Sequence, residues 1–411
     1  MENYDELMNS ILSLKEQLQN AKSSYEKLRI YMNLGLTYLL LSDISDERDN
    51  IVSALLNFDE AEKIAKTVEN KEDLAEIESN KGFVFYKLAH IEDLLYNLET
   101  SAKHYLNAIN LLKEVDHKSK LVRVYYNLAN TYLLGKDLDS IKVSLKYFEE
   151  ALKLKEDAED KKIVGLIYHG IGVANFLLGK FEPDFEKRVE YLTKAIEAFK
   201  ESLEYFESDD TLDIASTRSH LASSLLELAL IKEDRELFEE ALDNYKYVLE
   251  IYKDKSPEDY GTTLFNIGTL YFNESRLRDI DEKTKVKLLE NALNYFEESL
   301  NYFPKDTHKE SFIRINYEIA VCLRELFFLK NSPELIEEVK EHIEEIIDDI
   351  DESKNPYTYL TSQFFLGEAY FYLGDKEKAL SHYEESLRVA ENFDKELAQN
   401  IKEVIEKIKS I

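Results

Sequence analysis

Apolar positions recur at helical spacing along nearly the whole chain, and one triplet pattern returns again and again. It reads small, large, small, with steps of four and then three residues. The triplets are Ala54-Phe58-Ala61, Ser101-Tyr105-Ala108, Ser144-Phe148-Ala151, Ala195-Phe199-Ser202, Ala241-Tyr245-Val248, Ala292-Phe296-Ser299, Val339-Ile343-Ile346 and Ala379-Tyr383-Ser386. That spacing puts all three residues on one face of a helix. Small residues let two helix backbones approach, and the bulky residue between them fills the gap. Ahead of each triplet lies a second apolar segment built around a small residue: Gly35, Gly82, Ala129, Gly172, Ala222, Gly268, Ala320 and Gly367. These anchors are separated by 47, 47, 43, 50, 46, 52 and 47 residues. So regular a period predicts a stack of helix–turn–helix units, each burying its apolar face only against its neighbours.

The two ends differ from the interior. Tyr4–Asn20 sets Leu7, Ile11, Leu14 and Leu18 on one stripe, and Asp394–Ile411 does the same with Leu397, Ile401, Val404 and Ile408. Both are predicted as helices that cover the exposed faces of the terminal repeats. The expected organisation is a capping helix over 1–22, one solenoid domain of eight repeats over 23–392 and a final helix over 393–411, eighteen helices in all. Only 11 Gly and 5 Pro interrupt the chain, which leaves no flexible linker.

The motifs Leu366-Gly367-Tyr370, Leu34-Gly35-Tyr38, Ile267-Gly268-Tyr271 and Leu128-Ala129-Tyr132, each followed by its triplet, resemble tetratricopeptide repeats. Pro304 stands where that family has its closing proline, and the C-terminal helix resembles the family's solvating helix. The resemblance runs from about residue 24 to 392 and implies an all-α fold, a right-handed α-solenoid of tetratricopeptide-like repeats. One departure is informative. From anchor to triplet the family spacing is about 12 residues, and only the last repeat keeps it; the others read 19, 19, 15, 23, 19, 24 and 19. A surplus of about seven residues is close to two helical turns, so both helices of most repeats are expected to be lengthened. The most additional chain lies in repeats four and six, around Asp184 and 279–284, where excursions are expected.

Charge narrows the partners. With 52 Lys+Arg against 83 Asp+Glu, the net charge is −31. Such a chain repels phosphate backbones and anionic membrane surfaces, so neither nucleic acid nor membrane is expected. The same charge keeps a long helical array soluble, or steers a basic or amphipathic partner. The single cysteine, Cys322, sits among apolar residues and reads as a core thiol. No uninterrupted apolar window of membrane-spanning length occurs, and the N-terminus has no signal-peptide character, so a cytoplasmic location is expected.

Catalytic chemistry is not indicated. The eight histidines are scattered over separate segments, and no zinc pattern, phosphate-binding glycine loop or nucleophile elbow is present. The acidic run 341–349 reads as the solvated face of a helix. Neither enzymatic activity, a metal nor a cofactor is expected.

The remaining pattern lies on the first helix of each repeat. Two residues before the anchor stand Asn33, Asn80, Asn127 and Asn266, with His220 in repeat five and Gly170, Glu318 and Phe365 in repeats four, seven and eight. Asparagine is mildly unfavourable within a helix, so its return at one register calls for a reason. The family resemblance implies that these helices line a concave groove and that this position faces it. Kinesin light chains, Pins-type scaffolds and bacterial peptide-pheromone receptors are similar in carrying asparagine there. A carboxamide can pair with both the C=O and the N–H of an extended peptide; alternatively these asparagines brace adjacent helices. Asn130 and Asn273 fall on the same side. Arg123, Arg314 and Arg324 are cations able to hold a partner carboxylate or to pair with the next helix. Tyr126, Phe83, Phe265, Tyr317 and Phe371 offer aromatic faces, or core packing between repeats. The reading is a non-catalytic scaffold that binds a peptide segment of a protein partner; the alternatives are a self-assembling structural solenoid and a peptide-sensing regulator.

Overall fold

A computed structural model describes residues 2–410, and these residues contain eighteen α-helices and no strand. They form two compact units, one ending at His220 and the other starting at Leu221. The N-terminal unit contains α1 (Glu2–Asn20), α2 (Ser24–Ser42), α3 (Glu47–Thr67), α4 (Lys71–Ala89), α5 (Leu94–Glu114), α6 (Lys118–Leu134), α7 (Leu138–Leu152), α8 (Lys161–Phe181) and α9 (Phe185–Leu203). Helix α10 (Thr211–Lys232) crosses the boundary. The C-terminal unit continues with α11 (Arg235–Tyr252), α12 (Pro257–Glu274), α13 (Glu282–Leu300), α14 (Lys309–Lys330), α15 (Pro333–Ile346), α16 (Pro356–Tyr372), α17 (Lys376–Ala390) and α18 (Lys395–Ser410). In each unit, successive helices pack as neighbours, so the fold is an α-solenoid of helix pairs.

Each pair is locked by the triplet on its second helix. All eight triplets are buried, with no member above 3% exposed. The bulky residue points at the anchor of the first helix, and the approach is very close. A Cβ added to Gly35 would lie 2.5 Å from the Phe58 ring, and one added to Gly172 would lie 2.5 Å from the Phe199 ring. Four serines within triplets reinforce the fit. Ser202, Ser299 and Ser386 donate to the carbonyls of Gly165, Gly261 and Leu360, seven residues before the anchor, each at 2.8 Å. Ser101 donates to the anchor carbonyl of Gly82 at 2.8 Å. A small hydroxyl thus serves a helix carbonyl across the seam without widening it.

A second regularity lies one residue before the bulky position. His104, His342 and His382 donate through Nδ1 to Glu78, Asn316 and Gln363 at 2.8, 2.7 and 2.7 Å. Every acceptor lies four residues before its anchor. The His104 ring also stacks on Phe85, and that of His382 on Tyr370. These histidines, scattered in sequence, occupy one structural register.

Adjacent repeats are joined by ion pairs whose members lie about one repeat apart. Arg48–Glu92, Lys71–Glu114, Lys120–Glu76 and Lys162–Asp210 in the N-terminal unit are separated by 44, 43, 44 and 48 residues. Arg276–Glu325 and Arg324–Glu368 in the C-terminal unit are separated by 49 and 44. Exposed pairs of this kind contribute at most about 1 kcal/mol each. Much of the acidic excess serves helix starts, where Asp137, Asp160, Asp184, Asp234, Asp281 and Asp375 accept backbone N–H bonds as N-caps.

The lengthening expected from the spacing is present. Helices α2 and α3 have 19 and 21 residues, more together than a whole family repeat of about 34. Repeat four, however, has no excursion: α8 ends at Phe181, α9 begins at Phe185, and Asp184 is its N-cap. The additional chain is spent on helix length. Repeat six does carry a longer connection, from Ser275 to Asp281.

Helix α1 packs Ile11 on Ile30, Leu34 and Leu41, with Leu7, Leu14 and Leu18 beside it. Helix α18 buries Ile401, Ile405 and Ile408 against Ala379, Tyr383 and Ala390. Cys322 is fully buried, which pushes its thiol pKa up. Among the described residues one helix, α8, is long and apolar enough to cross a membrane. Its apolar residues Ile163, Val164, Ile167, Ala174 and Leu178 are buried inside the unit. If the ring-on-glycine contact governs the pair, Gly172→Ala should destabilise the protein by about 1–3 kcal/mol, seen as a lower urea midpoint. An unchanged midpoint would show that Phe199 yields freely.

Candidate functional site

In repeats four and five the position two residues before the anchor lies at the seam between repeats, over the bulky triplet residue of the preceding one. Repeat four shows this most plainly, since a Cβ added to Gly170 would fall 2.2 Å from the Phe148 ring. Of the asparagines at this register, Asn33 is exposed, whereas Asn80, Asn127 and Asn266 are partly buried. None of the four side chains hydrogen-bonds to another described residue, and the Asn80 Nδ2 is enclosed without a partner.

In the N-terminal unit this register opens into a small cleft of about 210 Å³ between α4 and α6, walled by Phe83, Tyr86, Tyr105, Tyr126, Asn127 and Asn130. Helical spacing brings these groups together. Phe83 and Tyr86 are one turn apart on α4, with their rings stacked at 6.3 Å. Tyr126, Asn127 and Asn130 lie on one side of α6. Tyr105 forms the floor from α5. Burial pushes the phenols of Tyr86, Tyr105 and Tyr126 up, so all three remain neutral donors. Asn130 donates to its own helix at the Tyr126 carbonyl, 3.1 Å away. The result is an uncharged, aromatic recess with carboxamide groups at its rim. It suits the backbone amide of an extended chain better than a charged group.

The other predicted residues are not all gathered there. Arg123 is exposed on α6, 3.6 Å from Glu159 and 3.9 Å from Asp160. His220 is part of a packed cluster. Its ring stacks on Phe199 at 5.8 Å and meets His169 edge-on at 5.1 Å, while Nδ1 donates to the Ser216 carbonyl at 2.9 Å. In the C-terminal unit Asn273 donates to the Thr269 carbonyl on its own helix at 2.9 Å. Arg324 is committed to Glu368 by two hydrogen bonds, one of them 3.0 Å, and lies over Phe365 and Phe328. Of its two readings, pairing with the next helix is the one realised. Arg314 is different: its guanidinium stacks on Phe265 at 4.2 Å, and it makes no ion pair with a described residue.

Residues 361–393 match the Tetratricopeptide repeat family. The matched stretch is the last repeat, the one with the short anchor-to-triplet spacing. No curated protein matches the chain in sequence. In fold, the chain is similar to a signal-transduction ATPase with numerous domains from Pyrococcus horikoshii that carries a tetratricopeptide repeat sensor (16% identity, TM-score 0.51). The superposition covers 99% of this chain and 59% of that one, so the chain spans just over half of that protein's length. More distant are the apo form of RapI (16% identity, TM-score 0.41, covering 76% of this chain and 98% of that one) and NprR in complex with its cognate peptide NprX (15%, 0.39, 90% and 98%). At such identities the likeness is one of fold.

Sequence reasoning missed Tyr86 and Tyr105 as cleft residues. Tyr86 was open to discovery as the next turn after Phe83, whereas Tyr105 reads as core in any triplet analysis. Two measurements probe the arrangement. Asn80→Leu should leave stability unchanged or raise it by about 1 kcal/mol, since it removes an unpaired buried donor; a loss of that size in the denaturation midpoint would support the bracing role. Burial holds His169 down to about 3, below the ordinary 6.5, with the charge on His220 acting in the same sense. Burial lowers His220 as well, against its bond to Ser216. The neutral forms belong to the fold, so this stability is complete above pH 6.5 and is lost as pH falls from there toward 3. His169→Gln should flatten the decline in melting temperature between pH 7 and pH 4, and an equally steep decline would show that other groups govern it.

Proposed function

We propose that the chain is a non-catalytic interaction scaffold that holds a peptide segment of a protein partner along the first-helix face of its N-terminal unit. The observation that carries this reading is the set of carboxamides at one register with no partner of their own. Asn127 stands in the wall of the cleft with its carboxamide unpaired, so it offers a donor and an acceptor to a ligand's peptide group. The cleft beside Asn127 adds aromatic walls for a side chain of the bound segment. Because the recess is uncharged, its grip on the backbone does not depend on ligand charge. The acidic surface around it favours a segment with basic flanks through long-range attraction, which salt weakens.

The test is selection of random linear peptides displayed on phage against the intact chain, followed by fluorescence anisotropy with an enriched peptide. Binding should weaken at least tenfold in the Asn80→Ala, Asn127→Ala double variant, while its urea midpoint stays that of the parent. Failure to enrich any peptide, or full affinity in the double variant, would overturn the reading.

A further inference from the structure

A second recess lies in the C-terminal unit, away from the asparagine cleft. It has a volume of about 730 Å³ and is bounded by α14, the turn that follows α15 and the start of α16. Many charged groups line it, and most have partners. Lys309 pairs with Asp349 at 2.7 Å, and Lys354 with Asp351 at 3.8 Å. Glu310 is an exposed carboxylate at the start of α14. Three lack such a partner, Glu310, Arg314 and Glu318, spaced one turn apart in succession on α14, and of these Arg314 and Glu318 flank Tyr317.

Neither makes an ion pair or a side-chain hydrogen bond with a described residue, although opposite charges four residues apart on a helix readily meet. Of the other arginines on the same unit, Arg276, Arg278, Arg324 and Arg388 each pair with a carboxylate. Arg314 instead lies over the Phe265 ring, 4.2 Å from its centroid, and lines the recess. Tyr317, between the two on α14, is fixed by a hydrogen bond to Thr361 at 3.0 Å and by stacking on Phe365. Burial pushes the Glu318 carboxyl up, against the pull of Arg276 and Arg314. It pushes the Arg314 guanidinium down, against the pull of Glu318. Glu318 is half-buried and Arg314 exposed, and neither has an opposite charge at contact distance to compensate it.

We propose that this recess binds a small zwitterion of the amino-acid class, with its carboxylate on the Arg314 guanidinium and its ammonium on the Glu318 carboxylate. A ligand of this kind brings both missing charges at once and adds no net charge to the site. Ile313, Tyr317 and Ile350 line the same recess and supply apolar surface for its side chain. The volume also accommodates a dipeptide, whose two ends carry the same pair of charges. Glu318 stands at the register where other repeats carry asparagine. Exchange of a neutral carboxamide for a carboxylate there turns recognition of a backbone into recognition of a charge.

The experiment is isothermal titration of the full chain with the common α-amino acids and with the dipeptides Ala-Ala and Leu-Leu. At least one should bind with saturation at millimolar concentration or below. Its N-acetylated and its carboxamide forms should each bind at least tenfold more weakly. Arg314→Gln and Glu318→Gln should each lose tenfold or more while keeping the parent's circular dichroism and melting temperature. Should either fail to fold, Arg314→Lys and Glu318→Asp keep the charge but alter its reach, and a tenfold loss is expected of them too. Absence of binding by every zwitterion, equal binding of a blocked form, or parental affinity in the variants would overturn the proposal. The Asn80→Ala, Asn127→Ala variant should bind the zwitterion like the parent, so failure here and failure of the peptide reading remain distinguishable.

Discussion

Each repeat hangs on one fit, a bulky side chain of the second helix set against a stretch of first-helix backbone with little or nothing in its way. Phe58 on Gly35 and Phe199 on Gly172 show the limit, since even a methyl group would overlap the ring. The fit fixes how close the two helices come, and closeness in turn allows the serine hydroxyls of Ser202, Ser299 and Ser386 to reach carbonyls across the seam. With the pair fixed, the spare flank of the same bulky residue becomes the surface on which the next repeat sits. Gly170 on Phe148 and His220 on Phe199 are two outcomes of that second contact. The register beside the anchor is therefore constrained from below by packing and left free above. It can carry glycine, histidine, asparagine or glutamate.

Electrostatics follow the same division of labour. Carboxylates cap helices and pair across repeats, and these roles absorb a good part of the acidic excess. Groups that escape both roles stand out. Asn80 and Asn127 escape hydrogen bonding, and Arg314 and Glu318 escape ion pairing, although each sits where partners are abundant. Unmet valence of this sort is costly in a folded protein, and both proposed binding surfaces rest on it.

Much of the architecture was legible because it rests on local periodicity. The triplets from Ala54-Phe58-Ala61 to Ala379-Tyr383-Ser386 named their own faces, and the structure buries every one. The capping stripes of α1 and α18 were equally plain. Where extra residues went was less so: a surplus around Asp184 reads alike as loop or as helix until the cap is seen. The site was legible only by register. Period tells which side of a helix a residue occupies, but not what stands opposite it from a segment about one repeat away. That is why His220 could not be told from a groove residue, and why Arg324 showed its partner Glu368, 44 residues on, only in three dimensions. The recess around Arg314 left no linear trace, since it is assembled from the start of α14, a turn and the start of α16.

The spacing of the ion pairs also bears on how such a chain can change in length. Arg48–Glu92, Lys71–Glu114, Arg276–Glu325 and Arg324–Glu368 all join residues separated by nearly the repeat length itself. Duplication or loss of one whole unit would keep the helix phase and set each remaining charge opposite the same register of another repeat. An insertion of half a unit would do neither. Whole-repeat steps therefore keep the helix pairs in phase, while changes within a repeat have gone into helix length, as in repeat four, or into a turn, as in repeat six.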